Sequence, residues 1–524
     1  MSEQETALQA ALRSSGNQGL GSWPWRRARM SPDAVALRQG DRALTYAQLA
    51  DRAARLASVL RDRGVQRGDR VAHLGTNDLT TFEAFFASGL LGAVFVPLNT
   101  RLAAAEVAYM LTDCGARVLL VGNGVELVAK ELVEDPELDR LVTLPFAEVE
   151  AEVAAAAPLA AEVDVTLADP ALLLYTSGTT GRPKAATLTH GNLTWNTINQ
   201  LAHFDTASTD RALCIAPLFH AVGLGQVTLP TLFKGGSVDV LDKFDAGTVL
   251  RLVGEHGITS FSAVPTMLQL MVEDPAWADA DLSSLRHVVF GGSSVNEGVA
   301  RAWLERGVRV LQGYGMTEAG PGIYMALQEG SGDRPVSVGV PHFFTDVAAL
   351  GADGSVVPVP QEGPGLELLV RGPNVFAGYW NRPEETTAGV VDDRWFRTGD
   401  ILRADEDGWG YVVDRVKDVI ISGGENIYPA EVEAVAITCA GVRSAAVVAL
   451  PDHRWGEVGV AYVETFPGAT VTEAELRAHF EAHLARYKIP KHLCFVDELP
   501  RNATGKILRS HLRDRARTTL EEKP

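Results

Sequence analysis

Short, mostly apolar runs limit the fold of this chain more than any other feature. Residues 70–74, 93–96, 117–121, 212–216, 259–263, 286–290 and 308–311 read as strands with little or no polar face. Such strands must be covered on both sides. Helical patterns lie between them: Thr45-Tyr46-Ala47 opens a helix whose Leu49, Ala53, Leu56 and Leu60 share one face, and residues 80–91 form another. Alternation of this kind implies parallel sheets covered by helices. After Pro341 the texture changes, and alternating runs at 347–350 and 366–370 between glycines and prolines suggest a β-rich subdomain. From Val416 a compact unit follows: a strand pair, a helix near 429–437, strands at 445–450 and 460–466, a helix at 473–484, a strand at 492–496 and a helix after Thr504. A chain of 524 residues exceeds a single core. The expected fold is therefore α/β, with a large N-terminal domain of parallel-type sheets, a β-rich subdomain and a small α+β C-terminal domain. Residues 1–24 read as a loose leader and 148–161 as a helix and linker.

The net charge of −19 argues against a nucleic-acid or anionic-lipid partner. Cys114, Cys214, Cys439 and Cys494 are widely spaced in apolar surroundings and are expected to be buried free thiols. The opening Met-Ser-Glu-Gln-Glu lacks the apolar core of a signal peptide. The apolar stretch 84–98 is too short for a bilayer and is broken by Gly89, Gly92 and Pro97. A cytoplasmic protein without a transmembrane segment is expected, and assembly as a homodimer is left open.

Directly after the apolar residues 171–174 comes Tyr175-Thr176-Ser177-Gly178-Thr179-Thr180-Gly181-Arg182-Pro183-Lys184. Glycines let a backbone approach an anion, while amides, hydroxyls and a lysine supply donors and charge, so the string suits phosphate. Its spacing is not that of the usual P-loop. A polar surface turn would explain the glycines and hydroxyls but not the whole string. Beyond the strand at 308–311 lies Gln312-Gly313-Tyr314-Gly315-Met316-Thr317-Glu318, which puts a ring, a hydroxyl and a carboxylate at the carboxyl edge of a parallel sheet. Thr398-Gly399-Asp400 alone would be an ordinary turn. Asp414-Arg415-Val416-Lys417-Asp418, followed by Ile420-Ile421-Ser422-Gly423-Gly424-Glu425, reads blandly as a charged linker and a hairpin. Pro500-Arg501-Asn502-Ala503-Thr504-Gly505-Lys506-Ile507 closes the set, and a lone lysine there would ordinarily face solvent.

Taken in order, these five motifs resemble those of the adenylate-forming enzymes, the superfamily of acyl-CoA synthetases, luciferases and peptide-synthetase adenylation domains. The likeness spans 175–507, extends to 99–102, 344–347 and 484–488, and is strongest to stand-alone bacterial fatty-acyl-CoA synthetases. It implies that Thr176, Ser177, Gly178, Thr179, Thr180, Gly181 and Lys184 hold the β- and γ-phosphates of ATP. Gly292 touches adenine through its backbone, Gln312 reaches the adenine amino group, and Tyr314, between Gly313 and Gly315, stacks on the base. Thr317 holds a phosphate, Glu318 holds Mg²⁺, Asp400 binds the ribose hydroxyls and Arg415 contacts ribose or phosphate. His220, Ala221, Val222, Gly291 and Met316 wall the acyl pocket. His220 is read as a wall and not a general base, because it has no Ser or Cys partner in a recognisable motif. Gly423 and Gly424 line the pantetheine tunnel, and Trp455 lies near coenzyme A. Lys506 is the catalytic lysine, and Glu318 and Thr176 are catalytic as well. Lys417 is the pivot, so the resemblance divides the chain into a domain at 1–414, a hinge at 415–417 and a mobile domain at 418–524. Two positions depart from the pattern, Ala185 and Asp414, where glycine is usual.

The implied reaction has two steps. A carboxylate attacks the α-phosphorus of ATP and releases pyrophosphate; the small domain then turns, and the coenzyme A thiol displaces AMP. Small and apolar pocket residues favour a fatty or aromatic monocarboxylic acid. The alternatives are transfer of the same adenylate to an amine or a carrier protein, and a catalytically silent nucleotide-binding protein. Retention of Glu318, Asp400, Arg415 and Lys506 speaks against silence. No Gly-x-Gly-x-x-Gly or Gly-x-Ser-x-Gly occurs, which disfavours a dehydrogenase or a serine hydrolase.

Overall fold

The computed structural model describes residues 16–159, 163–176, 182–292, 297–423, 425–502 and 505–520. Two large sheets carry the N-terminal part. One runs in the order Gly378–Tyr379, Lys184–Thr189, Pro170–Thr176, Val94–Leu98, Arg70–Leu74, Ala116–Val121 and Val142–Pro145. Its five last-named strands are mutually parallel, and the two at the other edge are antiparallel additions. The other sheet is built on parallel strands Arg309–Tyr314, His287–Phe290, Ser260–Ala263, Arg211–Cys214, Ser237–Val240 and Val35–Gln39, with antiparallel strands at both ends.

Helix Leu79–Leu91 is buried at every position, and its residues share one core with Phe95 and Leu172 of the first sheet and Leu37 and Val238 of the second. This explains the long apolar stretch: it packs between sheets. Among the described residues no helix is long and apolar enough to cross a membrane. Glu83 lies on that buried helix and is held by Arg52 at 2.6 Å, since a buried charge needs a partner.

A six-stranded sheet follows, antiparallel throughout, in which Leu366–Arg371 and Gly410–Arg415 flank Trp395–Ala404. The C-terminal unit has its own sheet around Val442–Asp452 and Gly456–Thr465, covered by helices Pro429–Ile437, Glu473–His483 and Arg509–Leu520. The α/β architecture with a β-rich subdomain and a C-terminal domain agrees with the sequence reading.

Three local expectations change. The leader is not loose from Gly16 onward: Trp23–Ala28 is a helix with proline in its first turn, and Trp23 and Trp25 are buried. Both tryptophans join the main hydrophobic core and tie the segment to it. Residues 1–15 lie outside the described part. Through residue 159 the segment 148–161 is a helix and linker as read, but its helix, Phe146–Ala155, starts two residues earlier. Cys114 and Cys214 are buried free thiols as expected, but Cys439 and Cys494 are only half-buried.

Candidate active site

The described ends of the string 175–184 lie on two paired strands. Pro170–Thr176 runs antiparallel to Lys184–Thr189 with Thr176 opposite Lys184, so the two ends of the loop are held face to face. The Thr176 hydroxyl donates to the Lys184 carbonyl at 3.4 Å. Ser177, Gly178, Thr179, Thr180 and Gly181 lie outside the described residues. The Lys184 ammonium sits 3.7 Å from the centre of the Tyr379 ring and 3.3 Å from the Glu385 carboxylate. A cavity of about 350 Å³ opens here, lined by Tyr109, Arg182, Pro183, Lys184, Arg382 and Glu385.

Glu318 is buried on the short helical turn Thr317–Ala319, just past strand Arg309–Tyr314. Its Oε1 accepts the Tyr379 hydroxyl at 2.7 Å, and its carbonyl accepts the Phe376 amide at 2.8 Å. On the same strand end, the Tyr314 hydroxyl donates to Asp400 Oδ2 at 2.7 Å. Arg415 Nε lies 3.1 Å from Asp400 Oδ1, because Asp400 and Arg415 stand opposite each other in neighbouring antiparallel strands. Burial, reinforced by the Asp400 charge, raises the Tyr314 phenol well above its ordinary pKa and keeps it a donor. Gln312 is buried with its Oε1 lacking a hydrogen-bond partner.

Lys506 comes to this cluster from the far end of the chain. Its amide donates to Asn502 Oδ1 at 2.9 Å, and a Cβ added to the preceding Gly505 would stand 2.8 Å from Thr266 Oγ1 of helix Pro265–Glu273. Arg443 of the C-terminal unit pairs with Glu273 on that same helix at 3.1 Å. Burial and the nearby Arg415 lower the Lys506 pKa to about 8, with Lys417 adding to the fall and Asp400 and Asp418 opposing it. An ammonium, a guanidinium, a carboxylate and a phenol thus share one neighbourhood.

Of the residues expected to wall an acyl pocket, His220, Ala221 and Val222 lie at helix Ala221–Gly225, Gly291 follows strand His287–Phe290, and Met316 follows strand Arg309–Tyr314. His220 precedes that helix, its ring lies 4.7 Å from that of Phe219, and its Nε2 is buried without a partner. Burial lowers its pKa to about 4, helped by Arg101, so it is a neutral wall at pH 7. The Val222 carbonyl accepts the Ser262 hydroxyl at 3.4 Å. Gly291 is buried, Gly292 faces open space, and Met316 is half-buried.

Residues 24–380 match the AMP-binding enzyme family and residues 431–506 the AMP-binding enzyme C-terminal domain. The chain belongs to the AMP-binding enzyme family. It is 50% identical over 500 residues to a feruloyl-CoA synthase of an Amycolatopsis species, covering 95% of this chain and 99% of that one. It is 39% identical over 512 residues to an indoleacetate–CoA ligase of Aromatoleum aromaticum, covering 96% and 99%. Among solved structures, o-succinylbenzoate CoA synthetase from Bacillus subtilis, in complex with its acyl-adenylate intermediate, matches with a TM-score of 0.83 at 34% identity, covering 94% of this chain and 98% of that one. This AMP-binding enzyme is an ATP-dependent acid–CoA ligase; a non-CoA acceptor is not favoured.

Two features of the AMP-binding enzyme lie around the expected hinge. Gly423, at φ +62°, gives its amide to the Trp455 carbonyl at 2.7 Å, and Trp455 is 47% exposed with Arg454 over its ring. No hydrogen bond or ion pair among the described residues joins either to Tyr314, Glu318 or Asp400. Gly424 lies outside the described residues. Asp414, the departure from glycine, accepts the Arg415 amide at 2.7 Å and, past Lys417, the Ala430 amide at 2.9 Å in the first turn of helix Pro429–Ile437. Burial pushes its pKa up to about 6.

Sequence reasoning missed Tyr379 and Glu385. Both follow the motif-poor stretch Phe376-Ala377-Gly378, and the only local signal was a Gly-Tyr pair ahead of an Asn-Arg-Pro turn.

Proposed function

We propose that this ligase activates an aryl-substituted monocarboxylic acid of the feruloyl kind, with Lys506 as the cation delivered to the reacting carboxylate and α-phosphate. The observation that carries the reading is the position of Lys506: a residue from the C-terminal unit lies within electrostatic reach of Asp400 and Arg415. Two anions must meet in the first step, so a positioned positive charge does most for the rate. Asp400, held by Arg415 and Tyr314, is arranged to accept the ribose hydroxyls. The unpartnered Gln312 Oε1 suits the adenine amino group, which is a donor. Lys184 and the signature hydroxyls serve the β- and γ-phosphates. A neutral His220 and small apolar neighbours suit an uncharged ring better than a second carboxylate.

Magnesium fits Glu318. The carboxylate is buried, accepts a neutral hydroxyl and makes no ion pair with a Lys or Arg among the described residues, so its charge is available to a hard cation. Such an ion would screen the triphosphate. In the second step the unit after Lys417 turns, Lys506 withdraws, and the Gly423 face opens the way for the thiol. We place the reaction in the cytoplasm, where ATP and coenzyme A are abundant.

The test compares Lys506→Ala in the two half-reactions, using acids of graded chain length and ring content. Adenylation, read as pyrophosphate release, should fall by about 10²–10³ while thiolysis of a supplied acyl-adenylate persists. Equal loss in both steps would sink the role of Lys506. A preference for long alkyl chains over cinnamate-like acids would sink the substrate class.

A further inference from the structure

Tyr379 touches the two charged groups that the ATP reading assigns to different tasks. Its ring face carries the Lys184 ammonium at 3.7 Å, and its hydroxyl donates to Glu318 Oε1 at 2.7 Å. We propose that Tyr379 is a positioning residue for the triphosphate end of the site, presenting Lys184 with its ring and Glu318 with its hydroxyl as two separable acts. The proposal rests on the ATP-site reading above.

The tyrosine is itself fixed from several sides. Strand Gly378–Tyr379 pairs with the signature strand, Tyr379 opposite Ala186. The Tyr379 amide donates to Thr386 Oγ1 at 2.9 Å, and its ring meets Phe376 edge to face at 4.9 Å. Phe376 in turn gives its amide to the Glu318 carbonyl and packs on Phe396 at 4.9 Å. One short segment therefore touches the signature strand and the Glu318 turn together. A lysine and a glutamate brought to one place would otherwise neutralise each other as an ion pair. The ring between them satisfies the ammonium through its π face and the carboxylate through its hydroxyl, so Lys184 and Glu318 are held together without pairing with each other. Glu385, at 39% side-chain exposure, also pairs with Lys184 at 3.3 Å, a contact that phosphate would have to displace.

Calorimetric binding of ATP and AMP to the full chain, in EDTA and across a Mg²⁺ series, tests this with Tyr379→Phe and Tyr379→Leu. AMP lacks the phosphates that Lys184 serves, so both variants should bind it as the wild type does. Tyr379→Phe keeps the ring: ATP affinity in EDTA should hold, while the Mg²⁺ concentration that half-maximally tightens ATP binding rises about tenfold. Tyr379→Leu should in addition weaken ATP binding in EDTA about threefold. A Tyr379→Phe variant with the wild-type Mg²⁺ response overturns the proposal, as does equal weakening of AMP and ATP in both variants. If Tyr379→Leu fails to fold, Tyr379→Phe, which loses a single oxygen, decides. A wild-type protein whose ATP binding ignores Mg²⁺ overturns the assignment of Glu318 itself, and this proposal with it.

Discussion

Lys506 should give acid activation an alkaline limit. Its ammonium is shielded from bulk water beside Arg415, and its pKa falls from 10.5 to about 8. Such a group is about nine-tenths protonated at pH 7 and about one-tenth at pH 9. If only the ammonium serves, kcat/KM for adenylation drops roughly tenfold over that interval, because this ratio reports the free enzyme. Bound ATP brings negative charge to the site, so the corresponding limb of kcat should lie at higher pH. The assay is initial pyrophosphate release at low ATP and saturating acid, from pH 6.5 to 9.5. Thiolysis of a supplied acyl-adenylate should move the opposite way, rising with pH as the coenzyme A thiolate accumulates. Lys506→Ala should lose the alkaline limb together with most of the rate. A limb that survives in Lys506→Ala, or a flat wild-type profile, would refute the assignment.

Other outcomes follow from single contacts. Asp414→Gly removes the carboxylate that caps helix Pro429–Ile437 across Lys417, the proposed pivot; if that cap of about 1 kcal/mol holds only the arrangement that brings Lys506 to Asp400, adenylation should slow roughly fivefold while thiolysis holds. Gly423→Ala adds a Cβ 2.9 Å from Trp455 Cε3 at a left-handed position, so the thiolysis half-reaction should slow with adenylation unchanged. Gly315→Ala would place its Cβ 1.4 Å from the Pro321 carbonyl oxygen, and thermal unfolding should show a loss of about 2–4 kcal/mol.

Local pattern carried most of the secondary structure. Helix Tyr46–Asp62 begins where Thr45 was expected to open it, with the Thr45 and Gln48 side chains closing a capping box. Strands Arg70–Leu74 and His492–Val496 match their apolar runs end to end. The misses share a cause. Helix Trp23–Ala28 is too short to show a period, and the burial of its tryptophans depends on surfaces distant in sequence. Strand Lys184–Thr189 was hidden because its Thr-rich sequence lacks the apolar texture of its partner Pro170–Thr176, and pairing supplies what propensity does not.

The residues alone determined the chemistry on offer: a glycine- and hydroxyl-rich loop closed by Lys184, an aromatic and a carboxylate past a strand end, an aspartate, an arginine and a late lysine, in one order. They also determined the layered architecture, since apolar runs and helical periods depend on neighbours within a few positions. Tertiary structure alone decided which of these groups meet. Asp400 faces Arg415 because two strands pair in that register, and Tyr379 reaches Lys184 and Glu318 because a two-residue strand docks on strand Lys184–Thr189. Lys506 stands near both Asp400 and Arg415 because its loop packs against helix Pro265–Glu273. Register and docking are set by packing between segments far apart in the chain, and no short window of sequence contains that information.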